Sequence, residues 1–573
     1  MTRAWVGLVV LLACGGDDAP SGGAVDAGQA GQDVSQDGGT ALGDVAPAPD
    51  VQGGTDGGGS PGDTSLEDAP DGAAGDAGGG TDGGGGGGAD TGGLDAADAV
   101  ELPVTPERVA IGIDWALQST PGSNGVLAST SLSLADGDLL VGGAFAGEVT
   151  VGDVTVSTDD VTYLHHMAVR VRPDGTLRFA RHVCDGCLGV AAEASDGRIG
   201  VAASGKALVG NPGTPDVIDR SEETVGAAFT VMSPEGLVLD MRRFAEGPAL
   251  EVRAVLPLDD GGWLIGGHLA QQATFKDGTV IDVPAEVFYP GRGFIARLRP
   301  DLSVQWVEPI AGTAASSVNM LASHGAGFVA VGDFGGYPLG VEAVFGGEAG
   351  PTLEAKSSDD DPAMDLFVAA WAGPGDVTLA RRVQHYGWLR APTWLNLDAG
   401  GVTVGLEGAV EFVVEDGELS CGYGGDGTLD VRFSWGGAFL GAKTLPPRAR
   451  PWPGGGWWSN TQTWAGGTWT LGEPPASLTF DAPPQTDDAD STSWVLARWT
   501  PGGQLVRAGQ LVAWHTKWMT SPFLAGASPQ PDGSWLLALN GHASLTLDAP
   551  TPIVLDNTGY ERFVFLRVRF EEP

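Results

Sequence analysis

Residues 137–143 read GDLLVGG, in which a glycine-containing turn runs directly into a short apolar strand. The same combination returns six more times along the chain. A pattern that recurs at a spacing of roughly 55–75 residues is typical of repeat architectures. We therefore divide this part of the chain into seven repeats. The later copies begin at Gly197 (GRIGVAA), Gly261 (GGWLIGG), Gly325 (GAGFVAVG), Gly400 (GGVTVG), Gly454 (GGGWWS) and Gly533 (GSWLLAL).

A second apolar stretch with a turn follows after a middle of variable length. Residues 167–183 (MAVRVRPDGTLRFARHV) and 293–310 (GFIARLRPDLSVQWVEPI) are examples, and apolar and polar side chains alternate within them. This alternation is the period of a strand with one buried face. Gly175, Gly236 and Gly503 hold one place in the pattern, where glycine allows the positive φ of a tight hairpin. The sequence therefore predicts four antiparallel strands per repeat and an all-β fold, a seven-bladed β-propeller.

The two ends of the repeat region predict how the ring closes. The seventh repeat ends with residues 563–570 (FVFLRVRF), which leaves its sheet one strand short. Residues 113–117 (IDWAL) precede the first repeat and are similar to the fourth strands of other repeats, such as residues 178–181 (RFAR). We expect the N-terminal segment around Trp115 to supply the missing strand, which leaves fewer bare sheet edges. The irregular fifth and sixth repeats leave an eight-bladed or split arrangement open.

The repeats resemble the SBBP-type propeller repeats of bacterial surface lipoproteins. The resemblance rests on residues 138–156 (DLLVGGAFAGEVTVGDVTV) with 165–183, and on residues 262–283 (GWLIGGHLAQQATFKDGTVIDV) with 293–310. In that family a strand ending in small residues precedes a short hairpin, a further strand, a glycine turn and a tryptophan-containing strand. The resemblance covers most of residues 110–573 and implies an architecture rather than an activity.

The amino terminus has the pattern of an export signal. Arg3 gives a short basic region, and residues 6–13 (VGLVVLLA) are apolar but too short to span a bilayer. Cys14 follows directly, and this arrangement resembles the lipobox of bacterial lipoproteins. The resemblance implies that residues 1–13 are a signal peptide and that Cys14 carries the lipid. An ordinary secretory signal with a chance cysteine is the alternative. Glycine at the next position favours the outer membrane of a Gram-negative bacterium, on its periplasmic or its outer surface.

Residues 14–102 have the composition of a disordered tether between the anchor and the repeats. From Gly15 to Leu102, 28 of 88 residues are glycine and 18 are acidic, with no lysine, arginine or aromatic residue. Without aromatic side chains the segment buries too little apolar area to offset chain entropy. We therefore expect the folded body to be residues 103–573.

The charge of the chain narrows the range of partners. Its 573 residues include 73 acidic and 30 basic side chains, which gives a formal net charge of -43. Nucleic acids and anionic membrane surfaces bind clustered lysine and arginine, so neither is an expected partner of the repeats. We expect attachment to the membrane through the lipid anchor instead.

Three cysteines are present besides Cys14. Cys184 and Cys187 stand three positions apart, just after a fourth strand. In an oxidising envelope compartment we expect them to form a small structural disulfide. A metal site with His182 as a third ligand is the open alternative at this loop. Cys421 is expected to be a buried thiol.

Candidates for cofactor ligands are few. His165 and His166 are adjacent, so in a strand they point to opposite faces and do not share one ion. The acidic clusters at residues 359–361 and 487–488 lie in long inserts, where carboxylate oxygens could hold Ca²⁺. Because the spaced aspartates of a dedicated calcium loop are missing, solvated loop charge is the favoured interpretation. No other cofactor is expected.

Tryptophan is unevenly distributed, since nine of the eighteen lie between Trp452 and Trp518. We expect most of them to pack between sheets. Trp457 and Trp458 differ, because adjacent strand residues face opposite sides and one of them must leave the core of its own sheet. Exposed tryptophan rings stack on sugars and anchor interfaces. The ligand-binding candidates are therefore Trp457, Trp458, Trp464 and Trp469.

These features favour a non-enzymatic binding protein that presents a propeller on a lipid-anchored tether. Propellers usually bind through loops at the ends of the central channel. Residues 345–365 and 474–493 are therefore the contact candidates for a protein or glycan ligand. The alternative is an envelope enzyme, a polysaccharide or peptide hydrolase or lyase with carboxylates at the channel mouth. With so many acidic residues, the sequence assigns no catalytic residue.

Overall fold

The structure is a computed structural model that describes most of the repeat region. Every regular element in the described segments is a β-strand, so this part of the chain belongs to the all-β class, as its alternating residues predict. The expected tether, residues 14–102, lies outside them. The described segments are residues 8–10, 104–120, 126–158, 165–185, 188–205, 207–209, 217–218, 226–283, 291–336, 340–347, 349–356, 364–414, 417–420, 427–445, 449–452, 456–464, 468–471, 477–481, 489–516, 523–541, 545–548, 553–555 and 562–571.

Each repeat forms four antiparallel strands that pair in order. In repeat 1 they are Val126–Ser133, Leu139–Phe145, His165–Val171 and Leu177–Asp185. In repeat 2 they are Leu188–Glu193, Ile199–Gly205, Gly226–Met232 and Val238–Glu246. In repeat 3 they are Leu250–Pro257, Trp263–Leu269, Arg292–Leu298 and Val304–Pro309.

Repeats 4 and 5 share one long strand, Asp376–Asp398, which is the fourth strand of one and the first of the other. The other strands of repeat 4 are Ala315–His324, Gly327–Gly335 and Asp365–Gly373. Those of repeat 5 are Gly401–Val414, Gly427–Ser434 and Phe439–Leu445. Repeat 6 consists of Arg450–Pro451, Trp457–Trp464, Ala489–Trp499 and Leu505–Thr516.

Repeat 7 takes its fourth strand from the segment before the first repeat. Trp115 lies opposite Arg567 in an antiparallel ladder, and Ile111 lies opposite Phe570. The expected pairing of the segment around Trp115 with the last strand is therefore present. The strands of this sheet are Phe523–Pro529, Trp535–Gly541, Arg562–Phe570 and Ile111–Gln118.

Short hairpins join the first strand to the second and the third strand to the fourth, so both kinds of turn lie at the same end of the sheets. We call it the hairpin end. Gly175, Gly236 and Gly503 have φ values of 86°, 81° and 87° in the third-to-fourth turns. The predicted positive φ is confirmed at all three. In repeat 3 a non-glycine residue, Leu302, takes φ 61° at the corresponding turn.

The opposite end of the sheets holds the connections from second to third strands, and we call it the connection end. In most repeats this connection contains a further short hairpin. In repeats 2, 3 and 7 that hairpin pairs with the fourth strand of the preceding repeat and so ties two sheets together. The hairpins are Glu148–Val151 with Val154–Ser157, Ala207–Val209 with Val217–Ile218, Ala273–Phe275 with Val280–Ile281, Glu342–Val344 with Thr352–Glu354, Thr468–Leu471 with Leu478–Asp481, and Leu545–Asp548 with Ile553–Leu555.

Four short strands complete the structure. Gly417–Ser420 pairs with the second strand of repeat 5. Leu8–Val10 pairs with the first strand of repeat 1, Ala311–Gly312 pairs with Glu342–Val344, and Glu107–Arg108 runs parallel to the fourth strand of repeat 6. In the described part of the chain, no helix has the length and apolar character needed to cross a membrane.

Apolar side chains fill the space between neighbouring sheets. The ring of Trp263 in repeat 3 lies 5.1 Å from that of Phe229 in repeat 2, and Trp452 in repeat 6 lies 5.5 Å from Trp535 in repeat 7. The first strands of repeats 1 to 5 contact one another in order, and the first strand of repeat 7 contacts that of repeat 1. The first strands of repeat 7 and of repeats 1 to 5 therefore lie next to one another in order.

Polar contacts join successive repeats at the hairpin end. A side chain on a fourth strand donates to a backbone carbonyl in the third-to-fourth turn of the next repeat. The last repeat meets the first in the same way. These hydrogen bonds run from Trp115 Nε1 to the Pro173 carbonyl (2.9 Å), Arg181 Nη1 to Gly236 (2.7 Å), Arg381 Nε to Gly437 (2.6 Å) and Lys443 Nζ to Pro501 (2.9 Å).

Candidate functional site

The first strands of repeats 3 and 4 carry polar side chains where they lie side by side. On Leu250–Pro257, Val252 is buried while its neighbours Glu251 and Arg253 are half-buried. We call the polar group formed here the inner-strand cluster, and it consists of Glu251, Arg253, His268, Ser317, Asn319 and Asp333. Its residues lie toward the connection end, where the first strands begin.

Arg253 links the two repeats. Its Nη2 donates to Glu251 Oε2 at 3.0 Å, within its own strand. Its Nη1 reaches the next repeat and lies 3.3 Å from both Ser317 Oγ and Asn319 Oδ1. A guanidinium offers five donors in a fixed fork, so these contacts leave it capacity to bind a further acceptor.

Asp333 holds the polar groups of repeat 4 in place. Its Oδ2 accepts from Asn319 Nδ2 at 2.6 Å and from Ser317 Oγ at 3.3 Å. Ser317 and Asn319 are buried although they are polar. Buried polar groups are stable when they are hydrogen-bonded, and this pair meets that condition.

His268 lies beside Glu251, with Nδ1 at 3.3 Å from Glu251 Oε2. That separation suits an ion pair, yet the pKa of His268 is lowered to about 4. Burial is the main cause, the positive charge of Arg253 adds to it, and the Glu251 carboxylate opposes both. We conclude that His268 is neutral at pH 7, because burial and the positive charge of Arg253 together outweigh the Glu251 carboxylate.

The cluster has the chemistry of a hydrogen-bonding surface rather than of a nucleophilic centre. Among the described contacts Ser317 Oγ meets an amide, a carboxylate and the Arg253 guanidinium, and an imidazole that could act as its base is not one of them. The described residues also contain no group of three His, Cys, Asp or Glu side chains placed to hold a metal ion. Carboxylates, an amide and a guanidinium together are suited to a ligand rich in hydroxyl groups.

Trp457 and Trp458 face opposite neighbours, as their adjacency predicts. Trp458 is 5% exposed and belongs to a core that includes Trp494 and Trp535. Trp457 is half-buried, its ring lies 5.3 Å from Trp394 of repeat 5, and its Nε1 donates to the Pro501 carbonyl at 3.3 Å. Both rings pack between repeats in the structure, and ligand binding by them stays a prediction.

The other residues singled out from the sequence are only partly described. Trp464 and Trp469 lie on strands of repeat 6, but their side chains are outside the described set. Cys184 is buried and disulfide-bonded. Cys187 lies outside the described residues, so the pairing of these two cysteines stays a prediction. The lipidation site Cys14 and the acidic clusters at 359–361 and 487–488 also lie outside.

His165 and His166 point to opposite faces of their strand, as expected. The ring of His165 packs at 5.2 Å from that of His182. His166 faces repeat 2 and fits between Gly142 and Gly189, where a side chain on either glycine would crowd its ring. Burial lowers the pKa of His166 to about 4, with a smaller contribution from His182.

The sequence does contain a pattern that indicates the inner-strand cluster, although composition and motif spacing do not detect it. Residues 250–254 (LEVRA) and 316–320 (SSVNM) place polar side chains at alternate positions on first strands. Alternation marks two faces of a strand but does not say which other strand lies beside it. Only the packing of repeat 3 on repeat 4 brings Arg253 to Asn319.

Comparison with known proteins assigns no family. No protein-family model and no curated protein matches the chain. Among solved structures, a subtype N11 neuraminidase-like protein of A/flat-faced bat/Peru/033/2010 (H18N11) is similar at a TM-score of 0.25 and 9% identity. The match covers 73% of this chain and 98% of that one. At this TM-score the similarity assigns neither a fold nor an activity to the chain.

Proposed function

We propose that the chain is a tethered envelope lipoprotein whose seven repeats form a β-propeller that binds a ligand without converting it. The inner-strand cluster is the observation that carries this proposal. It offers a guanidinium, two carboxylates, an amide and a hydroxyl, without a nucleophile beside a base. A protein or glycan segment that presents hydroxyl groups is the ligand that such a surface suits.

A closed ring of seven blades is supported by the contacts between repeats. Hydrogen bonds or ring contacts join neighbouring repeats, and Trp115 joins the seventh to the first through the Pro173 carbonyl. Each first strand would then line a central channel. The inner-strand cluster would lie toward one mouth of that channel, at the connection end.

The connection end also supports binding, because long connections on a rigid scaffold commonly carry recognition. The inserts at residues 345–365 and 474–493 join second to third strands and so belong to this end. They would extend the contact surface around the channel mouth.

A binding screen tests this proposal on the full chain. We expect a glycan array to show a preferred neutral or acidic glycan, and the double variant Arg253→Met/Asn319→Leu to lose that binding by tenfold or more. Arg198→Met is the matched control, because Arg198 pairs with Asp196 at a partly exposed site away from the cluster. Unchanged binding in the cluster variant would contradict the proposal.

The anchor is proposed from the sequence motif at Cys14 and the tether from the composition of residues 14–102. In a Gram-negative host, Cys14→Ser should move the protein from the outer-membrane fraction to the soluble fraction. Continued partitioning of that variant into membranes would contradict lipidation at this residue.

The second candidate is an envelope hydrolase or lyase, and the two carboxylates of the inner-strand cluster are the observation that favours it. If that proposal is right, the chain turns over an envelope polysaccharide or peptide, and either Glu251→Gln or Asp333→Asn abolishes turnover while ligand affinity is kept. Binding without turnover supports the first proposal instead.

A further inference from the structure

A cleft opens between repeats 6 and 7 at the hairpin end, with a volume of about 760 Å³. That volume falls in the range of sites for small organic ligands. The cleft lies on different strands from the inner-strand cluster and does not depend on it. Three arginines and three aromatic rings line it, namely Arg498, Arg507, Arg569, Trp452, Trp535 and Phe570.

The cleft exists because repeat 7 has no third-to-fourth turn. Its third strand ends at Phe570, and its fourth strand comes from the other end of the sequence. In other repeats this turn covers the fourth strand of the repeat before. A side chain on Gly236 would collide with the ring of Phe179, and one on Gly175 would collide with Trp115. Repeat 7 offers no such turn to the fourth strand of repeat 6; in the described residues Glu107–Arg108 pairs with that strand instead, with Glu107 opposite Arg507.

Arg507 occupies the place that an aromatic residue occupies at the seam between repeats 1 and 2 and at the seam between repeats 7 and 1. It lies opposite Arg498 of the third strand, as Phe179 lies opposite Arg170 and Trp115 lies opposite Arg567. The uncovered position thus carries a guanidinium instead of an aromatic ring. Arg507 Nε is buried and has no hydrogen-bond partner among the described residues.

Arg498 lacks the aspartate that pairs with the equivalent arginine in four other repeats. In repeats 1, 3, 5 and 7 the third-strand arginine binds an aspartate in or beside the first-to-second turn. The corresponding residues of repeat 6, 452–456, read WPGGG and contain no acid. The four pairs are Arg170 with Asp136 (2.6 Å), Arg297 with Asp260, Arg432 with Asp398 (2.8 Å) and Arg567 with Asp532.

The guanidiniums of Arg498 and Arg507, which form no ion pair within the described residues, therefore lie opposite each other on adjacent strands. The Trp452 ring lies 5.5 Å from the guanidinium carbon of Arg498, and the Phe570 ring lies 6.0 Å from that of Arg507. The rings hold the guanidiniums through cation–π contact and leave their N–H groups for another acceptor. Like charges opposite each other are unfavourable unless an anion lies between them.

We propose that this cleft binds a hydroxylated organic anion, an acidic sugar whose carboxylate is held by Arg498 and Arg507. The carboxylates of Asp532 and Glu571 also line the cleft and would accept hydrogen bonds from sugar hydroxyls. They disfavour a bare inorganic anion, which offers no donor to them.

Calorimetric titration of the full chain with a trimer of galacturonic acid tests the site. We expect saturable binding that weakens at least tenfold in Arg498→Gln and in Arg507→Gln, and that weakens as salt rises. The neutral galactose trimer should bind at least tenfold more weakly, and so should sulfate. Arg432→Gln is the matched control, because it changes the same strand position in repeat 5, and its affinity should equal that of the unchanged protein.

Thermal unfolding of each variant shows whether it is folded before its affinity is compared. Absence of trimer binding to the unchanged protein would overturn the proposal. So would equal affinity for the neutral trimer or for sulfate, or an equal loss in Arg432→Gln. Because the inner-strand cluster is untouched by these variants, its own ligand should bind them normally, which separates failure of this site from failure of the proposed function.

Discussion

The seam between repeats 7 and 1 and the seam between repeats 6 and 7 flank the same sheet, yet one is filled and the other is open. At the filled seam Trp115 packs on Gly175, and Trp115 and Arg567 both donate to the Pro173 carbonyl, at 2.9 and 3.0 Å. At the open seam Arg507 faces a cleft of about 760 Å³. The strand Ile111–Gln118 completes the sheet of repeat 7, but no hairpin connects it to the third strand of that sheet. The opening between repeats 6 and 7 therefore follows from the topology.

The two seams also differ in the surroundings of the arginine at one position of the third strand. Arg170, at the seam between repeats 1 and 2, is 1% exposed and is enclosed by carboxylates and a carbonyl. Arg498 stands at the same position of its repeat without an aspartate. An enclosed arginine contributes to holding two repeats together, whereas an unpaired one is available to a ligand.

The largest expected effect is on the enclosed arginine. Arg170→Met should lower the free energy of unfolding by about 3–5 kcal/mol, because it leaves Asp138 buried with one cation fewer. Asp138 accepts from Arg170 Nε at 2.7 Å, and burial already raises its pKa. Arg498→Met should change stability by about 0.5 kcal/mol or less. Urea unfolding measures both.

The double variant Arg170→Met/Asp138→Leu is the control for this comparison. It removes the buried charge together with its partner, so it should recover much of the lost stability. Equal losses in Arg170→Met and Arg498→Met would show that the two seams do not differ in this way.

A smaller effect is expected at the closing strand. Trp115→Ala should cost about 2–3 kcal/mol, because it removes a half-buried ring and the hydrogen bond to the Pro173 carbonyl. Trp115→Phe keeps the ring and should recover most of the loss. If repeat 7 were held to repeat 1 by other contacts alone, both variants would unfold at the same urea concentration as the unchanged protein.

The seam between repeats 1 and 2 should also depend on pH. His166 is buried there with its pKa lowered from 6.5 to about 4. The folded state therefore binds fewer protons than the unfolded state between these values. The stability is complete above pH 6.5 and declines as the pH falls toward 4, by about 2 kcal/mol between pH 7 and pH 5.

His166→Phe keeps a ring between Gly142 and Gly189 but does not titrate. The variant should therefore lose less stability than the unchanged protein as the pH falls. Thermal unfolding of both proteins at pH 7 and at pH 5 measures this difference. A constant difference at both values would mean that His166 is not the group responsible.

Much of this fold follows from residues that the sequence displays. Glycines at a fixed place predicted the hairpins, and the likeness of the segment around Trp115 to other fourth strands predicted the pairing with the last strand. Both are local patterns, because a turn needs a positive φ at Gly175 and a strand needs alternation. Local patterns of this kind are readable before any packing is known.

The two sites were harder to predict, for different reasons. The inner-strand cluster depends on which strand lies beside Arg253, and that is decided by packing between repeats. The cleft depends on a missing turn and a missing aspartate, which become visible only when Arg498 is aligned with Arg432 through the strand register. The sequence predicted a binding site in repeat 6 from the adjacent tryptophans Trp457 and Trp458. In the structure their rings pack between repeats, and the cleft beside repeat 6 is lined by arginines and by other aromatic rings.

The smallest expected change in the free energy of unfolding gives the sharpest test of the open seam. It is a gain in stability, whereas the substitutions at the filled seams are expected to lower stability. Arg507→Gln should raise the free energy of unfolding by about 0.5 kcal/mol at low salt, since it removes one of two like charges on opposite strands, and Arg507 forms no ion pair in the described residues with its other neighbour, Glu107. The gain should vanish at high salt, where the repulsion is screened. Lys443→Gln, at the filled seam between repeats 5 and 6, should lower stability instead, because it loses the bond to the Pro501 carbonyl. A loss of stability in Arg507→Gln would mean that the cleft already satisfies this guanidinium without a ligand.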